Sequence, residues 1–530
     1  MRDPAAICKS ERKKDNFMAR LRPVKRLMLI FPPMFDIRHV DTMACPPMGI
    51  AYLGAYVRDM VDVRLLDCLV AQGSVRKRVT EYIELVGLPY DTIVRQIRDY
   101  APDMVGLSCI FSGQSACVRE LSRRIKQDID PDIAVVAGGT HPSFLPEHTL
   151  DATPVDYVVL GEGELTLKAL INAHNTGGNI ADIDGLAFRN DSGIVVNPRQ
   201  NWINDLDAMP FPARDLLPME RYFQAKVPMG LHWRKIQNTP IVSSRGCPHK
   251  CPFCSSWLHW GRRFRKRSAE NVLAEIQHLR DTYNIQELKW QDDNLTSDPK
   301  RARAIFAGMI DRGLAMPWNT PNGVALWTLD EPLIQLMKQS GCYEMTLAVE
   351  SGDPTSFQRF VKKPFSLEKA KAVAHLARKH GISTVGYFII GFPGETLAQI
   401  EKSMRFALEM RVDYLMPFIF NPLPGSDLWK ICVEEGYITS TYAYEDANNY
   451  FQSDLNTTQF NTNDLRRLQS TTYFKNLLKL PFRNPREFVA WYGRQLMAHP
   501  DFLRTFSLHL LQLLRERAKH FGTTAKKGAS

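Results

Sequence analysis

The stretch Cys247-Pro248-His249-Lys250-Cys251-Pro252-Phe253-Cys254 sets three thiols at a C-x-x-x-C-x-x-C spacing. Ten cysteines scattered through 530 residues would produce that spacing by chance about 0.003 times per chain, so the run is a built feature. Cysteines at i, i+4 and i+7 could share a helical face. Pro248 and Pro252 oppose this, because each biases the cysteine before it away from helical dihedrals, and a loop is expected. Three loop thiolates suit zinc or an iron–sulfur cluster. Zinc asks for a fourth protein ligand, for which His249 and His259 are the nearby candidates, and no second C-x-x-C completes a zinc ribbon. Three cysteines on a four-iron cube instead leave one iron open to a substrate or cofactor.

The thiol run directly follows a strand-like run at 241–244, the first of six; the others are 287–291, 318–325, 344–349, 384–390 and 414–420. Amphipathic segments separate them, such as 268–283 with Val272, Ile276 and Leu279 on one face, and 366–380 capped by Ser366. Six βα units are too few for a closed eightfold barrel, so residues 239–438 are expected to form a partial, open (β/α)6 barrel with the thiols at the carboxyl end of its first strand.

Upstream, residues 25–178 alternate β-branched runs (26–31, 63–66, 105–110, 133–137, 157–160) with helical spacings such as Ile93, Ile97, Tyr100 and Val118, Leu121, Ile125, Ile129. That order predicts an α/β, doubly wound, flavodoxin-like domain with a parallel sheet. Ligands of such sheets lie outside the carboxyl ends of the strands, which singles out the loops after Ile110, Ala137 and Leu160. Residues 179–238 read as a hairpin around Asn190-Asp191-Ser192 and a proline-rich linker through Pro210, Pro212, Pro218 and Pro228. Residues 439–530, with Leu465, Leu468, Phe488, Leu508, Leu511 and Leu514 at helical spacings, read as a helical C-terminal region. Residues 1–24 read as a disordered basic lead-in.

Composition narrows the class. With 44% hydrophobic and 23% charged residues the chain is ordinary globular material. Its apolar runs fall far short of the ~18 residues a membrane-crossing helix needs. The N-terminus carries no secretion signal and the cysteines are sparse, so a cytoplasmic protein with reduced thiols is expected. The seven remaining cysteines are expected to be structural, with Cys68 and Cys109 as small buried hydrophobes. A net charge of +10 favours anionic partners. Only Arg262-Arg263-Phe264-Arg265-Lys266-Arg267 is dense enough to stand out. It could be a solvated face or a guanidinium grip on an anionic group near the cluster. No RNA-binding module accompanies it, so nucleic acid is not expected as a partner.

The thiol run resembles the signature loop of the radical S-adenosylmethionine (SAM) superfamily, with Phe253 in its aromatic place. Gln291-Asp292-Asp293-Asn294, Val349-Glu350-Ser351-Gly352 and the segment from Gly386 through Gly391 to Glu395 are similar to that family's SAM-binding segments. The first domain resembles the cobalamin-binding domain fused ahead of many such enzymes. The similar segments are Pro46 through Leu53, Ser108 through Ser112, Gly138-Gly139-Thr140-His141-Pro142 and Gly161-Glu162-Gly163-Glu164. The methionine synthase-type D-x-H-x-x-G histidine is not matched: Asp36 and His39 have the wrong spacing.

Within that superfamily the chain resembles the cobalamin-dependent (class B) radical SAM methylases. Segments 291–294 and 320–327 are similar to the methylase of fosfomycin biosynthesis, without its substrate being carried over. The resemblance implies a 4Fe-4S cluster on Cys247, Cys251 and Cys254. It also implies SAM held by Phe253, Asp292, Asp293, Glu350, Ser351 and Gly391. Cobalamin would be held by Ser108, Ser112, Gly138, Gly139, His141, Gly161, Glu162 and Gly163, with no protein histidine on cobalt. It implies methyl transfer from SAM by way of methylcobalamin to an unactivated carbon of a small-molecule substrate, for which the charge balance favours an anion. A flavodoxin or ferredoxin would donate electrons, and no side-chain acid or base is named as catalytic because the cofactors carry the hard chemistry. The rival with the same cofactors is an oxidative ring cyclase or ring-rearranging enzyme. The rival of another class is a zinc-stabilised nucleic-acid-binding protein.

Overall fold

A computed structural model describes residues 21–37, 42, 44–81, 83–226, 229–230, 232–438, 457, 459–489 and 493. Ten strands build the first half: β1 (Arg26–Phe31), β2 (Met34–Ile37), β3 (Asp62–Asp67), β4 (Val75–Arg78), β5 (Ile83–Gly87), β6 (Met104–Ser108), β7 (Ala134–Gly138), β8 (Tyr157–Val159), β9 (Leu186–Asn190) and β10 (Gly193–Val196). Seven of them form one sheet in the order β10-β9-β8-β7-β6-β1-β3. β3, β1, β6, β7 and β8 run parallel, as the alternation of runs and helices requires. Successive side chains of β1 enter different cores: Leu27, Leu29 and Phe31 belong to one cluster, Met28 and Ile30 to another. Both faces are therefore covered, which explains why the run is apolar without alternation.

The hairpin β9–β10 pairs antiparallel onto β8, so the first sheet continues past residue 178. The proline-rich passage behind it is also no linker. Leu206, Met209, Ala213, Tyr222 and Phe223 are buried, and Arg214 is 1% exposed. A small antiparallel sheet, β2-β5-β4, was not anticipated.

The second half has β11 (Asn238–Ile241), β12 (Ser244–Arg245), β13 (Arg265–Lys266), β14 (Glu287–Trp290), β15 (Trp318–Thr320), β16 (Cys342–Glu350), β17 (Ser383–Ile390) and β18 (Tyr414–Ile419). Six of these form a parallel sheet in chain order, β11-β14-β15-β16-β17-β18. Pro240 is tolerated in β11 because that strand is an edge. β15 is shorter than the run at 318–325: Pro321 follows it, and Gly323, at φ +106°, bonds back to the Thr320 carbonyl as a turn. The helix Ala269–Tyr283 starts at an N-cap, Ser268 Oγ accepting from Asn271 N at 3.1 Å, and buries Val272, Ile276 and Leu279. In the C-terminal region the helix Thr462–Arg483 packs on β18 and buries Leu465 and Leu480. Leu508, Leu511 and Leu514 lie outside the described residues, as does most of the basic lead-in. Among the described residues no helix is long and apolar enough to cross a membrane.

At the amino end of the second sheet Lys289, Asn319 and Glu344 stand in register on neighbouring strands and are all buried. The chain's own approach segment lies over them. The His232 carbonyl accepts from Lys289 Nζ at 2.7 Å and Tyr343 Oη at 3.0 Å, and the His232 ring pairs with Glu344. The backbone N–H groups of Arg234 and Lys235 both donate to Glu287 Oε2 at 2.6 Å. These inward polar residues thus take backbone groups of the approach segment as partners.

Candidate functional site

The two-residue ladder β12–β13 closes the loop that carries the three cysteines. Gly246 turns the chain at φ +85°, where an added Cβ would lie 2.3 Å from the Arg263 carbonyl oxygen. Cys254 N donates to the Cys251 carbonyl at 3.1 Å, a turn in place of a helix, as the prolines require. Two N–H donors point at sulfur: Ser256 N to Cys254 Sγ at 3.4 Å and Asn294 Nδ2 to Cys247 Sγ at 3.1 Å. Such donors are what sulfurs bearing metal-bound negative charge take up. Burial raises all three thiols, Cys251 to about 11 and Cys254 to about 12, so ligation has to expel their protons.

Among the described residues no three His, Cys, Asp or Glu side chains converge on one point as ligands of a single ion would. Thiolates on three corners of a cube need not do so. Of the two histidines considered for zinc, His249 meets Trp327 edge-on at 4.4 Å, and His259, edge-on to Trp260 at 4.4 Å, is pushed down to about 4 by burial beside Arg245.

Phe253 packs toward Phe392, with ring centroids 6.2 Å apart, in an aromatic cluster with Phe360 and Phe420. Asp293 is half-buried beside the loop and accepts from Ser256 Oγ at 2.8 Å. Asp292 differs from the expectation of a SAM contact. It is 1% exposed, and its carboxylate accepts from Ser243 N at 2.8 Å, Ser243 Oγ at 2.6 Å and Ser244 Oγ, which fastens β14 to the strand before the cysteines. Ser351 is likewise fully buried and serves a turn, its Oγ accepting from Asp353 N at 3.3 Å. Glu350 follows a bulge in β16, takes a left-handed φ of +70°, and accepts from Lys363 Nζ at 2.7 Å. A non-glycine residue held there is the kind of local strain that functional sites keep.

Gly391 also has a positive φ, +85°, but the atom that excludes a Cβ is Leu465 Cδ1 at 2.6 Å, on the C-terminal helix. Its loop is pinned by Glu395, a residue the sequence did not single out. The buried carboxylate accepts from Gly391 N at 3.0 Å, Phe392 N at 3.2 Å and Ser356 Oγ at 2.8 Å, and burial pushes it up to about 7. A folded-state value above the usual 4.5 means the folded chain holds this proton more tightly. The stability it gives is full below 4.5 and is lost as pH rises through about 7. Glu395→Gln keeps the acceptor for the backbone and stays neutral. It is expected to raise the melting temperature at pH 8.5, by up to about 3 kcal/mol of stability, and to change little at pH 5. Thermal melts at the two pH values check this.

On the other side, the strand-end loops of the first sheet are tied to one another. Ser108 and Gly138 end β6 and β7 in register. Cys109 N donates to the Gly138 carbonyl at 2.7 Å, His141 Nδ1 stands 3.0 Å from Ser112 Oγ, and Ser143 Oγ bridges the Gly139 carbonyl (2.6 Å) and Gly161 N (2.8 Å). His141 is buried, 4% exposed, and belongs to this lacing; His39 lies outside the described residues. Gly139, at φ +105°, leaves no room for a Cβ, which would lie 2.6 Å from the Cys109 carbonyl. Beside the lacing Ile110 and Phe111 are exposed at 37% and 52%, an apolar shelf that suits a flat macrocycle and that the strand pattern hid. Cys68 and Cys109 are buried, as expected.

The last of these loops departs from its expected role. Gly163 is needed because Leu53 approaches within 2.9 Å of where its Cβ would be. Glu162 is bonded to Arg265, through Nη1 to Oε2 at 2.8 Å. Of the rest of the basic run, Arg267 is buried on Glu275, while Arg262 over the Trp257 ring, Arg263 on Asn204 and Lys266 on Asp298 stay exposed. The run is therefore in part a solvated face, as one of its two readings has it, and in part interior pairing through Arg265 and Arg267.

The two halves meet where their loops do. The helix Thr140–Phe144, which opens the loop after β7, packs against Ser256–Trp260, the helix that follows Cys254. Gly161 lies so close that a Cβ would be 2.8 Å from the His259 carbonyl.

The chain matches the model of the B12 binding domain over residues 37–171 and that of the radical SAM superfamily over residues 241–407. It is 32% identical to the cytidylyl-2-hydroxyethylphosphonate methyltransferase of Streptomyces wedmorensis, covering 79% of this chain and 83% of that one. It is 33% identical to an uncharacterised methyltransferase of Pyrococcus horikoshii, over 77% and 83% of the two chains. The structure of the radical SAM methyltransferase TsrM from Kitasatospora setae, solved with cobalamin and a [4Fe-4S] cluster bound, has the same fold. Its TM-score is 0.62 at 17% identity, over 78% of this chain and 75% of that one.

Proposed function

Because the chain belongs to the cobalamin-dependent radical SAM methyltransferases, we propose that it moves a methyl group from SAM to an unactivated carbon of a small molecule. The observation that carries this reading is the packing of Thr140–Phe144 on Ser256–Trp260, which turns the laced strand-end loops of the first sheet toward the cysteine loop. When bound, the cluster, SAM and cobalamin supply a carbon-centred radical and a transferable methyl group. The chain's own part is to bind, orient and exclude water. Cys247, Cys251 and Cys254 would hold the cluster, with Asn294 and Ser256 donating to sulfur. Phe253, Asp293, Glu350 and the Gly391 loop would frame SAM. Ser108, Ser112, Gly138, Gly139, Ile110 and Phe111 would form the cobalamin face, with His141 fixing its loop and no histidine on cobalt. The six-stranded sheet would act as a partial barrel around the substrate. A flavodoxin or ferredoxin would supply electrons.

The substrate named for the Streptomyces wedmorensis relative, cytidylyl-2-hydroxyethylphosphonate, is the first compound to try. Mass spectrometry of SAM turnover tests the reading. Both 5′-deoxyadenosine and S-adenosylhomocysteine are expected, with methylated product. 5′-Deoxyadenosine alone, with an oxidised ring product from a cyclase substrate, would replace methyl transfer by the cyclase reading.

A further inference from the structure

Four charged side chains cross between the loop after β8 and the ladder beneath the cysteines. Glu162 pairs with Arg265, and Glu164 Oε1 lies 2.8 Å from Arg245 Nη2; all four are at most 5% exposed. Each guanidinium lies near aromatic rings: Arg245 is 5.0 Å from Tyr52 and 5.2 Å from Trp260, and Arg265 is 5.2 Å from Trp202. Arg265 also donates to the Ile203 carbonyl at 2.9 Å and the Trp260 carbonyl at 2.7 Å. Burying four charges costs more desolvation energy than their attraction returns, unless the geometry is close to ideal. An apolar contact would join two domains more cheaply. What such pairs add is discrimination, above all the forked Glu162–Arg265 pair, Arg245 meeting Glu164 through one nitrogen: a slip along the interface strands a bare charge.

The ladder that carries Arg245 and Arg265 is the base of the cysteine loop, and Glu162 lies between the two glycines of a cobalamin-side loop. We propose that the pairs Glu162–Arg265 and Glu164–Arg245 are a register lock, which fixes the position of the corrinoid relative to the cluster without touching either cofactor. Glu162 is thus a positioning residue. The proposal rests on the two-cofactor reading above.

The test uses the full chain with both cofactors loaded and reads the magnetic interaction between cob(II)alamin and the one-electron-reduced cluster by electron paramagnetic resonance. The variants are Arg265→Lys, which keeps the charge and loses the fork, and Glu162→Leu with Arg265→Met, which replaces that pair by apolar groups that should fold. Both are expected to keep wild-type iron and one bound corrinoid while the interaction broadens from one value to a spread. A tenfold loss of corrinoid affinity with an unchanged interaction in the bound fraction would overturn the proposal in favour of a direct cobalamin contact. Variants indistinguishable from wild type would overturn it too, as would a wild-type protein that takes up both cofactors but shows no interaction between them. A wild-type protein that binds no corrinoid at all instead defeats the functional reading, before any variant is made.

Discussion

Cys251→Ala is expected to abolish 5′-deoxyadenosine formation from SAM completely and to take iron and sulfide to background after anaerobic reconstitution. With one of three ligands gone, no neighbouring thiol stands ready to replace it. Among the described residues the other cysteines are remote in sequence, most of them are buried, and His249 is held against Trp327. The matched control is Cys109→Ala, which removes a buried thiol at the end of β6 and is expected to leave the iron content unchanged. Retained 5′-deoxyadenosine formation in the Cys251 variant would remove the assignment of the loop, and with it the proposed reaction.

Glu275→Gln is expected to cost about 3–5 kcal/mol, because it leaves two buried guanidinium groups without a counter-charge. Glu275 is fully buried on the helix Ala269–Tyr283. Its carboxylate takes Arg214 Nη1 at 2.7 Å on one oxygen and Arg267 on the other, and Arg214 comes from the passage between the two sheets. The cationic pair holds the Glu275 carboxyl below its usual range, so the contribution is present at neutral pH and lost as acid protonates it. Calorimetric melts at pH 7 measure the loss. The exposed pair Arg312–Glu270, 2.5 Å apart, is the contrast: Glu270→Gln should leave the midpoint where it is.

The sequence disclosed what depends on local pattern. Strands buried on both faces are continuous apolar runs, so β1, β6 and β7 could be read within a residue or two, and the prolines beside the cysteines announced a loop. Contacts between distant residues could not be read that way. Glu162 looked like part of a glycine-rich cofactor turn because its partner is 103 residues away. The run from Arg262 to Arg267 looked like one patch, yet its members face different acids on different elements. The strand β4, Val75–Arg78, is exposed throughout and shows no alternation, so nothing in its composition marked it as paired. What crowds Gly391 is likewise a helix more than seventy positions on, which no local pattern shows.

The cover that the approach segment lays over Lys289, Asn319 and Glu344 bears on how such a chain can be assembled over evolutionary time. All six strands of the second sheet lie at or after Asn238, so a recombination joint just before it would transfer the complete sheet. It would also leave behind His232 and the backbone of Arg234 and Lys235, and so take from Lys289, Glu287 and Glu344 the partners they have outside the sheet, leaving these buried groups only one another, Asn319 and Tyr343. The heritable module is therefore longer than the catalytic sheet: it includes the ten or so residues that precede it, and the seam where genes can be cut and rejoined lies within what looks like the tether.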